Sequence, residues 1–440
     1  MDLPPEISVF ILSLTAPFIL YTINHVSFLQ DPQVMLAIGI TVLTTILLLA
    51  NLSVKNKKST DPLFYATKSV RCDQSTCDLS SSKVSPASIC PAASANACSN
   101  PKARRLFHLG MRKLWSEDHM IEIHLHLDNL FAVFSFTSVV SITNALQHDG
   151  FIKGFMDFYI SKGEPYLSTA HGLMMSYWDG VVHYGLLLFM VHRITAGKPF
   201  RSLALVWAGS MIASEIVLVT GIVVGKYGKN FLPAFWRNGP SLVLAIWAAA
   251  KLFNRPRELS IISADKVEVE QKKSLLYRPT DLLLALGLIG SIIFTAFRGF
   301  VVLECSLDFC FTYIFQYEPY MKDSVGFPKV TMLVLLFYVL PLLAACVYGL
   351  YDPGCTWMLD WTLVLAGAVA QIQWTYLGAS VHSRTPFTYR IPKDEWKQIV
   401  TLNLLYMAVP VLLAVRCYMD QAFFMKNVPQ EQTSNGKKKN

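Results

Sequence analysis

Asp179 and His183 stand four residues apart inside the apolar run from His171 to His192. At that spacing two side chains share one face of a helix. An Asp at membrane depth costs roughly 2.5 to 3.5 kcal/mol on insertion scales, so this face is expected to meet other helices or a water-filled cavity. Ser176, Asp179 and His183 lie on it, and with the adjoining Tyr177 and Trp178 they are the candidate lipid or sterol cavity. The Asp and His could bind a sterol hydroxyl or a lipid headgroup, or shuttle a proton. They could equally be an interhelical pair packed beside Gly172 and Gly180. Both readings stay open.

Glu215 and Arg298 are the other charges inside apolar runs, free to pair with each other or with Asp179 if their helices adjoin. Gln371, Gln373 and His382 read as polar contacts between helices. Cys305 and Cys310 are either a disulfide in an oxidising lumen or two buried thiols at a span end. Cys72, Cys77, Cys90 and Cys98 lack His partners at zinc spacing, so no metal is assigned. No nucleotide loop, serine elbow or metalloprotease helix occurs, so no catalytic residue and no cofactor are assigned.

The elements that position these residues are membrane helices. The chain has 440 residues, 53% hydrophobic and only 15% charged, with mean hydropathy +0.40. Soluble domains carry nearer a quarter charged residues. About ten apolar stretches reach spanning length: 7–26, 34–52, 130–147, 171–192, 203–224, 232–252, 282–303, 330–350, 361–381 and 399–418. Basic residues at Lys55, Lys57, Lys58, Arg193, Lys198, Arg201 and 255–278 fall on one side in this count, the cytosolic side, with both termini. The loop with Arg384, Arg390, Lys393 and Lys397 strains the rule, leaving nine and ten spans both open. The net charge of +8 speaks for topology and anionic lipid rather than nucleic acid. Residues 67–128 are a polar insertion whose tail, Arg104 to Leu127, reads as a basic amphipathic helix or a solvated linker.

An internal repeat is visible. FMDFYISKGEPYL (155–167) and FTYIFQYEPYM (311–321) share Glu-Pro-Tyr followed by an apolar residue, each between two spans. The chain is thus read as a two-helix hairpin (1–60), a first four-helix unit (61–252) holding the insertion, a cytosolic linker (253–279), a second four-helix unit (280–418) and a cytosolic tail (419–440). Four helices per unit make the repeat parallel. Lys437 and Lys438 lie at the fourth and third positions from the C-terminus, as in a dilysine retrieval signal for retrograde vesicle coat; the other reading is a solvated basic tail.

DPLFYA at Asp61, NLFAVFSFTSVV, GEPYLSTAHG, YWDGVVHY, GKYG, FRGFVVLEC, QYEPYMKD, the PGC at Pro353 and GASVHSRTPFTYRIP resemble the transmembrane 6 superfamily, its member 2 more than its member 1. The likeness covers the chain except about 66–128. It implies two EXPERA domains, the four-helix module of emopamil-binding protein, a sterol double-bond isomerase. It further implies residence in the endoplasmic reticulum and its Golgi intermediate compartment. The implied role is lipid loading and secretion of triglyceride-rich lipoproteins, and limitation of lipid droplet content, with membrane lipid or sterol and lipoprotein-assembly or lipid-synthesis proteins as partners; it is read here as non-enzymatic. A sterol isomerase is the alternative. Against it, the isomerase's His and Glu fall at Ser138 and Ile142, and its second acid near Tyr177 with Asp179 close by, so two of the three groups that would supply a donor and an acceptor are missing in the first unit.

Overall fold

The protein is described by a computed structural model, which covers residues 4–59, 127, 129–229, 235–236, 238–257 and 262–426. The insertion, its cysteines and the terminal lysines lie outside the described residues. By internal packing the chain divides into residues 1–40 with 134–440, and residues 41–133. In the latter, the described parts are the C-terminal half of one helix and the start of another.

The chain is all-α and multi-pass, and helix occupies every one of the ten apolar stretches. The first run is broken into α1 (Pro5–Ser13) and α2 (Ala16–His25) rather than continuous. Pro17 has no N–H for the Ser13 carbonyl and crowds it, and the Ser13 hydroxyl turns back to the Phe10 carbonyl at 2.7 Å. α3 is Pro32–Ser59. The first four-helix set follows: α4 (Asn129–His148), α5 (Ala170–Trp178) continued through a π-helical turn (Asp179–His183) into α6 (Tyr184–Thr195), α7 (Arg201–Val224) and α8 (Asn238–Asn254). The linker holds α9 (Ala264–Lys272), whose Gln271 donates to the carbonyls of Phe423 and Met425 and so fastens it to the tail.

The second set repeats the order. α10 (Pro279–Val302) leads through the short α11 (Asp308–Gln316) to α12 (Phe327–Val334), a π-helical turn (Leu335–Val339), α13 (Leu340–Tyr351), α14 (Met358–Val381) and α15 (Trp396–Met419). The two Glu-Pro-Tyr segments share one backbone: Glu164 has φ −134°, ψ 69° and Glu318 φ −131°, ψ 61°, each opening a 3-10 turn at the following proline. Each set then carries a π-helical turn in its second helix.

α7 and α14 run side by side in the same direction through the middle. Their start is tied by Arg201 and Asp360, and their middle by Gln371, whose Nε2 donates to Ser214 at 3.0 Å. Two thirds of the α7 span is buried against about a quarter of α10, so α7 is central and α10 peripheral. Small residues allow this approach: Gly209 lies against the Val364 carbonyl and Gly367 against the Val206 carbonyl.

The loop with Arg384 and Arg390 joins the end of the bundle that holds His148 and Ser168. Arg384 donates to those two carbonyls and Arg390 to those of Ser383 and Thr385. These arginines cap backbone groups, which is why they sit apart from the basic end and strain the charge rule. At the basic end, Asp281 is fully buried between Arg278 (2.6 Å) and Arg416 (2.8 Å).

Candidate functional site

The five candidate residues read from the sequence fall into three surroundings. Ser176 is buried and accepts from Asn144 Nδ2 at 2.9 Å, a contact between α5 and α4. Tyr177 points away and donates to Asp149 at 2.5 Å, so it does not belong to the cavity. Asp149 also lies 3.4 Å from His382. Trp178, Asp179 and His183 remain together, because the π-helical turn adds a residue to the helical repeat and carries His183 inward. Gly180 permits it: a Cβ there would stand 2.4 Å from Ile142 Cβ.

His183 Nδ1 lies 2.8 Å from Asp179 Oδ1, out of line for a hydrogen bond. On its other side, Nε2 is 2.7 Å from the Ser210 hydroxyl, which also accepts from Trp178 Nε1 at 2.9 Å. Asp179, His183 and Ser210 thus form a row in the order of an orienting acid, a base and a nucleophile. Ser210 was invisible to sequence reading, since nothing in α7 marks one serine among several. The row lacks the oxyanion donors of acyl transfer, because Ser210 sits inside a continuous helix whose amides bond to their own turn.

Asp179 and His183 face a cavity of about 20 Å³ that Ser138 and Trp207 also line. That is room for one water molecule. The cavity expected of the stripe is therefore water-sized, because Phe134, Leu187 and Met211 fill the space.

Across Ser210 and Trp178 lies a much larger cleft of about 710 Å³, bounded by α6, α7, α14 and α15. Its walls are apolar, with Leu186, Val206, Leu363, Ala370 and Val411. Its basic-end mouth carries Arg193, Arg201, Arg257 and Asp360. Asp360 is held by Arg201 Nη1 at 2.5 Å and Arg257 Nε at 2.6 Å. Sequence reading used these arginines only for topology and passed over Asp360.

Arg298 pairs neither with Glu215 nor with Asp179. Its Nε donates to Glu318 at 2.9 Å, its Nη2 reaches the other oxygen of Glu318, and Asn403 accepts at 3.0 Å, all fully buried. The signal was present, since Glu318 is the acid of the repeated Glu-Pro-Tyr. Its counterpart Glu164 accepts the hydroxyls of Tyr159 and Tyr166 instead. Glu215 is buried on α7. Cys305 and Cys310 form a disulfide with Cα atoms 6.1 Å apart. Among the described residues no cluster of His, Cys, Asp and Glu could hold a metal ion. Lys437 and Lys438 lie outside the described residues.

Comparison with known proteins agrees with this membrane architecture. The model for "Transmembrane 6 superfamily member 2-like, transmembrane domain" matches residues 15–82 and 118–263, passing over 83–117 within the polar insertion. Transmembrane 6 superfamily member 2 of Homo sapiens is 49% identical over 309 residues, 70% of this chain and 82% of that protein. The Rattus norvegicus and Mus musculus proteins of the same name are each 48% identical, over 310 and 307 residues, covering 70% and 69% of this chain and 82% and 81% of theirs. No solved structure matches. With a family match over its first half and relatives near one-half identical over most of their length, the chain belongs to the transmembrane 6 superfamily, among its member 2-like proteins.

Proposed function

We propose that this protein handles lipid without transforming it: that it works in the membrane of the endoplasmic reticulum and its Golgi intermediate compartment, promoting lipid loading and secretion of triglyceride-rich lipoproteins and limiting lipid droplet content. The observation that carries this reading is the apolar cleft between α6, α7, α14 and α15. Its volume of about 710 Å³ falls in the range of roughly 300 to 1,000 Å³ that small-molecule sites occupy.

The rival, a sterol isomerase, draws on the Asp179 and His183 pair as donor and acceptor. The water-sized space before them counts against it, since a sterol ring system does not enter 20 Å³. Ester chemistry at Ser210 is disfavoured by depth. Nine residues past Arg201 at 1.5 Å each, Ser210 lies about 13 Å into the span, below the level where a lipid anchored at the arginines carries its esters. Lipoprotein-assembly proteins and vesicle coat are the partners this role calls for, the coat through Lys437 and Lys438.

The test pairs purified protein with lipoprotein-secreting cells. Lipid extracted from the full chain is weighed against a cleft-filling Ala370→Trp variant, beside a sterol isomerisation assay. The reading expects bound lipid in the wild type, its loss in the variant, lowered triglyceride secretion with that variant, and no sterol turnover. Sterol turnover by the wild type would overturn it in favour of the enzyme.

A further inference from the structure

Arg201 is the most confined cation at the mouth of the cleft. Its side chain is 7% exposed, its Nε donates to the Leu252 carbonyl at 2.9 Å, and its Nη1 holds Asp360. Its Nη2 has no hydrogen-bond partner. A buried guanidinium N–H without an acceptor has lost its water and gained nothing in return, so the group is incomplete as it stands. Around it, the described lining residues set three guanidinium groups, Arg193, Arg201 and Arg257, against one carboxylate, that of Asp360. Two positive charges remain in excess.

Two further features belong to the same cleft. α7 begins at Arg201 with no side chain capping its first turn, and Ser202 and Leu203 of that turn line the cleft. The amides of a helix start favour an anion. The mouth also continues without a break into the apolar walls at Val206, Leu363 and Ala370. A free anion would satisfy the arginines and leave the apolar length empty, and an uncharged lipid would do the opposite.

Resting on the lipid-handling reading above, we infer that this cleft binds a phospholipid of net negative charge, its phosphate at Arg201, Arg193 and Arg257 and an acyl chain along α7 and α14. The phosphate completes Arg201 Nη2 and the excess charge with charge-assisted hydrogen bonds. The chain covers the apolar walls.

The experiment uses the full chain in phosphatidylcholine nanodiscs doped with phosphatidic acid or, as the uncharged arm, diacylglycerol, and reads lipid retained per chain by native mass spectrometry. Phosphatidic acid is expected to be retained about tenfold over diacylglycerol, a difference of about 1.4 kcal/mol. Inorganic phosphate should fail to displace it. The double variant Arg193→Gln with Arg257→Gln should bring phosphatidic acid down to the diacylglycerol level, Arg257→Lys should keep the preference, and Ala370→Trp should remove both lipids. Melting temperature in detergent confirms that each variant is folded. Retention unchanged in the folded double variant, or displacement by inorganic phosphate, overturns the inference. Binding of diacylglycerol without preference for phosphatidic acid overturns it while leaving the lipid-handling reading intact, and binding of neither lipid defeats both.

Discussion

Gly367 of α14 meets Val206 of α7 so closely that a Cβ on the glycine would stand 2.0 Å from the Val206 carbonyl oxygen. The reciprocal contact, Gly209 against the Val364 carbonyl at 2.2 Å, relates the same two positions with the helices exchanged. Contact of residue i with j and of j with i is the mark of a two-fold arrangement. Backbone stands on the far side, so the neighbour cannot yield.

Gly367→Ala should therefore destabilise the protein by about 1 to 3 kcal/mol, the cost of forcing an extra carbon into a packed interior. Gly290→Ala on α10, with nothing within 4 Å of its Cβ position, is the control and should be neutral or slightly stabilising. Thermal unfolding of both in detergent checks this; equal melting temperatures would show that α7 and α14 are not so closely packed.

The buried pair of Arg298 and Glu318 predicts an asymmetry between single and double substitution. Glu318→Gln leaves a guanidinium unbalanced among Phe294, Tyr376 and Asn403 and should cost about 3 to 5 kcal/mol. Arg298→Met with Glu318→Leu removes both charges and should recover most of that loss. Expression level and melting temperature of the single and double variants decide it, and a double variant worse than the single would show that the pair is net stabilising in itself.

Asp179→Ala should lower protein level and lipid export in proportion, because its carboxylate faces a cavity the size of one water and lies against His183. Export per molecule of protein is the quantity to measure. A fall in export at unchanged level would restore a direct part in lipid contact to Asp179, as its place in the stripe led one to expect.

Asp323, in the loop ahead of α12, has its carboxyl pushed up by burial, which the Val325 amide and Lys226 only partly oppose. With the folded value above the unfolded one, the protonated form is favoured in the fold. This group's contribution is present below the unfolded value, near 4, and is lost as pH rises through the raised folded one. Melting temperature should thus carry a downward component from about pH 4 toward neutrality that Asp323→Asn removes; identical pH profiles would count against it.

Removal of the Cys305 to Cys310 bridge should cost about 2 kcal/mol, the loop-closure value for so short a loop. Alkylation before reduction should leave those two thiols unlabelled in the native protein. Cys305→Ser with Cys310→Ser, compared by melting temperature with and without reductant, should be the variant that no longer responds to reductant.

Helix positions were legible because each apolar stretch is long and bounded by polar turns, and the Glu-Pro-Tyr repeat was legible because it is a run of adjacent letters. The break at Pro17 could have been read from the missing N–H. Tyr177 stands two residues, about 200° of regular helix, from Asp179, so it falls off the face of Ser176, Asp179 and His183 and turns to Asp149 instead. The cleft was hidden for another reason: Trp178, Ser210, Ala370 and Val411 come from four distant segments, and their meeting depends on how α7 lies on α14. One trace of that packing does stand in the letters, Val-Trp-Ala-Gly at 206–209 and Val-Leu-Ala-Gly at 364–367, too ordinary a pattern in apolar helices to single out.

The reciprocal contact of α7 and α14 sets Val206 and Gly209 as counterparts of Val364 and Gly367, a shift of 158 residues (364 − 206 and 367 − 209). By the same shift the counterpart of Arg201 is Leu359 and that of Asp360 is Ser202, so the bond between Arg201 and Asp360 has no mirror image. Two identical copies of one unit would carry such a bond twice or nowhere. Joined in one chain, the halves differ at those positions, and the stoichiometry follows: one charged mouth, and with it one proposed site for an anionic lipid, for every two units.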